Sequence, residues 1–498
     1  MLFNSYIFIL FFLPLVVIGY YFLGGLRKGS FVTGFLFCAS LCFVGYQGIY
    51  HLAVLCGSIL LNFLLIRGME QAGRAKGRKK KIFVFGVSMN LVFLFLFKYL
   101  DFFLENLNLL LPVDIPLTGL VMPIGISFYT FSQIACLADC YKGIRFGGSL
   151  DDGRTKPCSF VEYGAFVSFF PKLIQGPIAS HREVVPGFRS RIVKKIDYGN
   201  LCRGIYAFAL GLAKKVLIAD TLAKVVNIGY GNISELNTPS ALMVMVSYSL
   251  QIYFDFSGYC DMAYGIGYML NIKLPINFNS PYQAESVSDF WERWHMTLTE
   301  FFTRYLYIPL GGSRKGTGRT YLNIMIVFLL SGLWHGANWT FVLWGMLHGI
   351  MKVMERALHV KDWKIPRFLK QVTTFIIVTF AWSIFRADSV LQVKGLWGRL
   401  FFSGGGGIYR PITDSFQKLI EISFLYRAGL GGVMERFPWL LLTAFVFILL
   451  LACFTMRNTK DKAETMKFTR WKMILVSGLM FWSILSLAEI SEFIYFNF

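Results

Sequence analysis

The sequence predicts an all-α polytopic integral membrane protein with about 10–12 transmembrane helices and additional re-entrant segments. Three observations carry this reading: an apolar composition, a succession of apolar runs, and basic residues gathered in the loops between them. Hydrophobic residues make up 55% of the 498, charged residues only 15% and aromatics 17%, and the mean hydropathy is +0.56. Length alone would suggest two to four soluble domains. A soluble chain of this size, however, needs far more charge to cover its surface. Soluble Rossmann, barrel and sandwich enzymes are thereby excluded.

The apolar runs lie near 4–24, 31–46, 51–66, 82–104, 120–141, 201–219, 241–270, 320–334, 338–356, 369–386, 437–456 and 472–490. A full span takes roughly 20 residues, so the shorter runs are expected to tilt or to insert only halfway. The first run is a retained span, because Met1 to Leu23 offers neither a basic leading region nor a small-residue cleavage site. The stretch 160–180 differs from the others. Pro171, Gly176 and Pro177 break any helix there, and broken backbone facing lipid cannot satisfy its hydrogen bonds. This segment is expected to be re-entrant and shielded by neighbouring helices. Arg67 to Lys81 holds seven basic residues against Glu70 and marks the cytoplasmic side. Arg27-Lys28, Arg182 to Lys195, Lys352 to Lys370 and Arg457 to Lys472 agree with it under simple alternation. Both termini are then extracytoplasmic, including the tail 491–498. The segment 387–436, with Gly404 to Gly407, becomes the main extracytoplasmic loop and reads either as a partner surface or as a mobile linker. With no internal repeat, residues 1–498 parse as a single membrane domain.

The net charge of +21 fits basic cytoplasmic loops against anionic lipid. No nucleic-acid partner is expected, since no basic stripe is interleaved with a stacking platform. Nine cysteines show no CxxC pair or zinc spacing, and Cys38/Cys42 and Cys136/Cys140 resemble small packing residues. No metal site is expected: the histidines lack HExxH spacing and no carboxylate cluster suits a cation. No GxSxG elbow supports a serine hydrolase.

Ionisable groups within spans are costly and mark functional sites by default. They gather in the string Tyr253 to Asp261, in Asp289-Phe290-Trp291-Glu292-Arg293-Trp294-His295, and in Gly332 to Trp339. His335 has no charged sequence neighbour between Arg319 and Lys352. A neutral histidine in dry surroundings is a capable proton acceptor, and Gly336 and Ala337 would let a substrate approach. A core histidine bonded to a backbone carbonyl is an equal reading. His295, beside Glu292 and Arg293, is open to an ion-pair role, and Asp255 reads more readily as the partner of a buried Lys or Arg. His348 fits helix packing, and His51, His181 and His359 carry no assignment.

The strings YFDFSGYCDMA (Tyr253–Ala263), DFWERWHMTL (Asp289–Leu298), RYLYIPLGGSRK (Arg304–Lys315) and GLWHGANW (Gly332–Trp339) resemble the membrane-bound O-acyltransferases. Leu2-Phe3-Asn4-Ser5, Pro123 to Tyr129 and Phe170 to Pro177 match as well. The similarity is greatest to the bacterial branch of alginate and peptidoglycan O-acetylation proteins. It covers nearly the whole chain to about residue 390, weakens through 390–436 and returns at the C-terminus. The resemblance implies a ring of helices around a thin centre, a cytoplasmic tunnel for an acyl thioester and an opposite funnel for the acceptor. It places the family's essential histidine at His335 and the second important one at His295.

On that basis His335 is expected to act as general base, with Trp334 and Asn338 shaping the pocket and Asp255, Asp289 and Arg293 in support. His295 would either polarise the thioester carbonyl or relay the proton. No bound cofactor is expected; the donor is acetyl-CoA or an acyl carrier protein. The acceptor is an extracytoplasmic envelope or exported polysaccharide, acetylated with a separate SGNH-type transferase in a bacterial cytoplasmic membrane. Tyr495, in the tail FIYFNF, is either an interfacial anchor or a temporary acyl carrier. A phenol has a pKa of about 10, so its ester remains a good acyl donor. Two alternatives accompany this expectation: D-alanyl transfer to teichoic acid, and a secondary transporter using Asp255, Lys98 and the broken 160–180 segment.

Overall fold

A computed structural model describes residues 1–26, 29–73, 75–111, 114–148, 157–190, 195–467, 469–487 and 493–494. Among these residues there is no strand, only an isolated antiparallel bridge between Phe278 and Trp294. The chain opens with a π-helical turn, Ile7–Phe12, running into α1 (Leu13–Gly25). It continues through α2 (Gly29–Gly45), α3 (Ile49–Gln71), α4 (Lys76–Lys98) and α5 (Leu100–Asn108). The apolar run expected at 120–141 is helical only as α6 (Ile126–Tyr141). Gly125 stops it short: with φ +72°, and a hypothetical Cβ only 2.7 Å from the Leu173 carbonyl oxygen, no other residue fits there.

The segment 160–180 is broken, as its prolines predict. It forms α7 (Phe160–Ser168) and a single turn, α8 (Phe170–Leu173), and residues 162–177 are buried throughout. The backbone freed by Pro171, Gly176 and Pro177 is therefore covered by protein, as an apolar bilayer requires. After α9 (His181–Arg189) come α10 (Tyr198–Ala213), a π-helical turn at Lys214–Ala219, and α11 (Asp220–Gly231).

The spine is α12 (Thr238–Met269), 32 residues, or about 48 Å at 1.5 Å per residue. Its Tyr253 and Phe256 belong to one buried cluster and its Tyr259 and Met262 to another. It can be central because α10 approaches it closely. A Cβ on Gly204 or Gly211 would lie 2.6 or 2.5 Å from the Gly265 or Gly258 carbonyl oxygen, so this seam tolerates only glycine, the small-residue packing expected in lipid.

Then follow α13 (Val287–Arg293), α14 (Met296–Phe302), a π-helical turn at Thr303–Tyr307, α15 (Thr317–His335), α16 (Trp339–Ala357) and α17 (Arg367–Arg386). The segment 387–436 is largely helical: α18 (Val390–Phe402), α19 (Arg410–Gln417), α20 (Ile420–Leu425) and α21 (Gly431–Arg436). Its glycines are tied to the start of α12, with Thr238 N–H on the Gly404 carbonyl (3.2 Å) and Asn237 Nδ2 on that of Gly407 (2.7 Å). The mixed charge that suggests a linker in the sequence belongs here to short amphipathic helices. The chain closes with α22 (Leu440–Thr455), α23 (Thr459–Glu464) and α24 (Arg470–Leu485).

Among the described residues four helical stretches are long and apolar enough to cross a membrane on composition alone: Ile7–Gly25, Ile49–Gln71, Lys76–Lys98 and Arg367–Arg386. Others, such as α12, α15 and α16, turn polar groups inward rather than to lipid, which lowers their mean hydropathy. The result is an all-α polytopic membrane protein.

Candidate active site

His335 is the last residue of α15, and its position follows from how closely α15 and α16 cross. A Cβ on Gly332 would sit 2.3 Å from the Phe341 carbonyl oxygen, and one on Gly345 2.4 Å from that of Phe328. The chain then extends at Gly336, and Asn338 caps α16 by accepting from Thr340 N–H at 3.0 Å. Gly336 makes room for the Phe341 ring, which would lie 2.2 Å from a Cβ there, so its missing side chain serves packing. The His335 imidazole, 2% exposed, meets Trp334, Trp344 and Phe385 nearly edge-on, with ring centroids at 4.9, 5.1 and 5.2 Å. Each such contact contributes about 0.5–1.5 kcal/mol and fixes orientation.

Two cavities reach residues beside this histidine on the chain, Gly336 in one and Ser331 in the other, while the ring itself lines neither. The larger, about 810 Å³, is lined by Gly336, Ala337, Asn338, Phe341 and Phe385, together with Lys98, Lys215, Asp220, Asp255 and Ile494. Asp101, also on its wall, accepts from the Thr118 hydroxyl and N–H and from Gly119 N–H. The Thr118 bonds hold its carboxyl below the ordinary carboxylate range. This tie is present above that range and is lost as pH falls through the lowered value. The smaller cavity, about 280 Å³, is lined by Trp291, Phe302, Phe328, Ser331, Lys352 and Arg356 among others. Ser331 and Gly336 bracket His335 on the chain and face different cavities. Lys352 and Arg356 lie roughly 20–25 Å along α16 from Trp339, so the cavities open toward opposite ends of the α15–α16 hairpin. Trp291, which lines the smaller cavity, donates Nε1 to His348 Nδ1 at 3.2 Å, the packing role expected of His348.

His295 is brought to the same place by a strained turn. Its backbone is left-handed, φ +45°, which a non-glycine residue adopts only where the surroundings impose it. Asn279 N–H on the Arg293 carbonyl (2.9 Å) and Met296 N–H on the Asn277 carbonyl (3.0 Å) impose it. The imidazole is fully buried and stands 5.9 Å, centroid to centroid, from the Trp334 ring that His335 also touches. Its Nδ1 lies 3.2 Å from Asn277 Oδ1. That oxygen already accepts from Thr297 N–H and Oγ1, so Nδ1 must be the donor. In the neutral ring Nε2 therefore carries the lone pair, and Nε2 has no hydrogen-bond partner among the described residues.

Asp255 is paired, as its sequence context suggests. Lys215 Nζ reaches Asp255 Oδ1 and Asp220 Oδ1, both at 2.8 Å, while the neighbouring Lys214 pairs with Asp261 at 2.6 Å. The other Asp255 oxygen accepts the N–H of Ile494 at 3.0 Å. Phe493 is fully buried, edge-on to Tyr259 at 5.0 Å and 4.5 Å beneath Lys215 Nζ. The C-terminal segment thus enters the wall of the larger cavity; Tyr495 itself lies outside the described residues.

Asp289 and Arg293 pair with each other one turn apart at 2.7 Å, and Asp289 also accepts from Glu285 N–H. They brace α13 rather than reaching a histidine ring. Outside the motif strings, Asp139 forms a further buried group, 3.3 Å from His181 Nε2, 3.0 Å from Tyr305 Oη and 3.6 Å from Arg304. The signal for it was an acid inside an apolar run. Among the described residues no group of three or more His, Cys, Asp or Glu side chains is arranged to hold a metal ion.

A buried imidazole thus ends α15 next to residues that line two separate cavities of an α-helical membrane domain. The model of the membrane-bound O-acyltransferase family matches residues 107–386, and the chain belongs to that family: it is an acyltransferase. It is 37% identical to a peptidoglycan O-acetyltransferase of Helicobacter pylori, across 100% of this chain and 98% of that protein. Identity to a probable alginate O-acetylase AlgI of Pseudomonas aeruginosa is also 37%, across 92% of this chain and 82% of the relative. A teichoic acid D-alanyltransferase of Bacillus subtilis is 26% identical across 68% and 83%. The transporter alternative is set aside.

Proposed function

We propose that the protein takes an acetyl group from a cytoplasmic thioester and passes it through the His335 site for O-acetylation of an extracytoplasmic polysaccharide. The observation that carries this is the position of His335 on the chain between Ser331, which lines the smaller cavity, and Gly336, which lines the larger, with the two cavities toward opposite ends of one helix hairpin. Lys352 and Arg356 on the smaller cavity suit the phosphates of coenzyme A or of a carrier protein's prosthetic arm. The positive-inside rule, applied to the same residues, favours a cytoplasmic mouth here, which fits both termini outside and the whole chain acting as one membrane domain.

His335 accepts the proton of the acceptor hydroxyl as its oxygen attacks the thioester carbonyl carbon. The tetrahedral intermediate collapses with cleavage of the C–S bond, and the leaving thiolate takes the proton back from the imidazolium. The products are an ester and a free thiol. With Nδ1 committed to Asn277, neutral His295 offers a lone pair rather than a donor, which favours proton relay over carbonyl polarisation. Trp334 and Asn338 hold ring and rim in place. High relative identity favours acetyl over D-alanyl transfer, because the acetylating relatives align over far more of the chain.

The acceptor hydroxyl in this reading is that of Tyr495, from which an SGNH-type partner moves the acetyl group to the polymer. Support comes from the tail itself: Ile494 lines the larger cavity and is bonded to Asp255. After incubation with labelled acetyl thioester, mass spectrometry of the C-terminal peptide should show one acetyl group on Tyr495. Tyr495→Phe should lose that label and polysaccharide acetylation together. Unchanged polymer acetylation in Tyr495→Phe would reduce the tail to an anchor.

A further inference from the structure

Lys98, the last residue of α4, carries an ammonium into the apolar interior, where charge is costly and needs a reason. Its Nζ donates to the Trp334 carbonyl oxygen at 2.6 Å and lies 3.4 Å from the His335 carbonyl oxygen and 3.5 Å from Ser127 Oγ. The next residue, Tyr99, donates its hydroxyl to the Leu333 carbonyl at 2.9 Å. Two consecutive side chains at the junction of α4 and α5 thus take three consecutive carbonyls at the end of another helix. Those carbonyls belong to the last turn of α15, which ends on His335, and the extended backbone from Gly336 supplies them with no further helical N–H. They form the negative pole of the helix, where a cation is favourable. The ammonium also stands 5.9 Å from the Trp334 ring centroid and lines the larger cavity. Its partners are dipoles, not a carboxylate, so its charge is not cancelled locally.

We propose that Lys98 is a positioning residue for acyl transfer: its ammonium fixes the last turn of α15, and with it the His335 ring, and presents positive charge toward the acceptor side of the site. As the hydroxyl proton moves to His335, negative charge grows on the attacking oxygen and then on the thioester carbonyl oxygen. A fixed cation at the end of α15 attracts this negative charge without rearrangement, although it also repels the imidazolium that forms on His335. This rests on the reading of His335 as the base. A cap that served stability alone would not need to face the cavity, since a backbone or neutral donor could satisfy the same carbonyls.

The test uses the full-length protein in lipid nanodiscs, with single-turnover thiol release from acetyl thioester as readout, its rate constant standing for kcat and its half-saturating thioester concentration for KM. Lys98→Met should lower kcat by about 10–100-fold and leave KM for the thioester within about twofold, with a monodisperse, folded preparation. Lys98→Ala opens space continuous with the larger cavity, so added ethylammonium should restore activity several-fold. Tetramethylammonium, which has no N–H, should not. If neither variant reconstitutes, Lys98→Gln keeps a donor for the Trp334 carbonyl without the charge and should show the same loss of kcat. A lowered melting temperature with unchanged kcat overturns the proposal, as does loss of kcat that ethylammonium and tetramethylammonium relieve equally or not at all. His335→Gln is measured in parallel. If it stays active, the base reading fails; if it is inactive while Lys98→Met keeps full kcat, only the role of Lys98 fails.

Discussion

Replacing His335 with glutamine lowers acyl transfer by about 10²–10⁴-fold, the range contributed by a positioned general base, while the protein still folds. Glutamine approximates the imidazole in size and can sit among Trp334, Trp344 and Phe385, so the aromatic packing that holds the end of α15 survives. The loss should fall on kcat, with KM for the thioester little changed, because the donor cavity is lined by Ser331, Phe328 and Trp291 rather than by the ring itself. Steady-state thiol release, beside a melting curve, separates the two effects. A variant with normal kcat would return His335 to the role of a core histidine.

Lys215→Met produces the second large effect, and it acts on stability first. Lys215 is 1% exposed and bonds two carboxylates, Asp255 and Asp220. Removing the cation leaves Asp255, itself 1% exposed, without its charge partner. Breaking a buried pair in this way costs about 3–5 kcal/mol. The cost falls at the point where Asp255 receives Ile494 N–H and Phe493 packs under the ammonium, so docking of the C-terminal segment should weaken with it. Expected results are a lowered melting temperature and faster proteolysis after residue 487 in Lys215→Met. Lys215→Arg, which keeps the charge, should recover part of both. Parent-like melting and proteolysis would show that the pair contributes nothing to the fold or to the tail.

What the sequence made legible is local. His335 stood out because a histidine without charged neighbours in an apolar run is rare, and the break at 160–180 could be read from Pro171, Gly176 and Pro177 alone. The long apolar string through Asp255 and Asp261 identified α12, because two acids among so many aromatics call for buried partners. What remained hidden depends on contacts between distant residues. Lys98 meets the end of α15 across 236 residues, and Lys215 meets Asp255 across 40; no periodicity reports either. The tautomer of His295 is set by Asn277, an ordinary loop asparagine until Thr297 is seen bonded to the same oxygen. Asp289 and Arg293 were drawn toward the site by their proximity in sequence to His295. Their spacing is that of a helix ion pair, and that local rule describes what they form. The helices of 387–436 escaped notice because short amphipathic segments of mixed charge lack a membrane span's continuous apolar run.

In the proposed mechanism one imidazole, flanked on the chain by residues of two cavities, lets an acyl donor and its acceptor react from different sides. A sided assay tests it most directly. Proteoliposomes of uniform orientation receive labelled acetyl thioester only on the face bearing Lys352 and Arg356, and acetylated product is followed on the other face. Labelled ester is expected on the far face with the parent protein, none with His335→Gln, and none when the thioester is supplied only on the far face. Product formed equally from either face, or formed by His335→Gln, would contradict it.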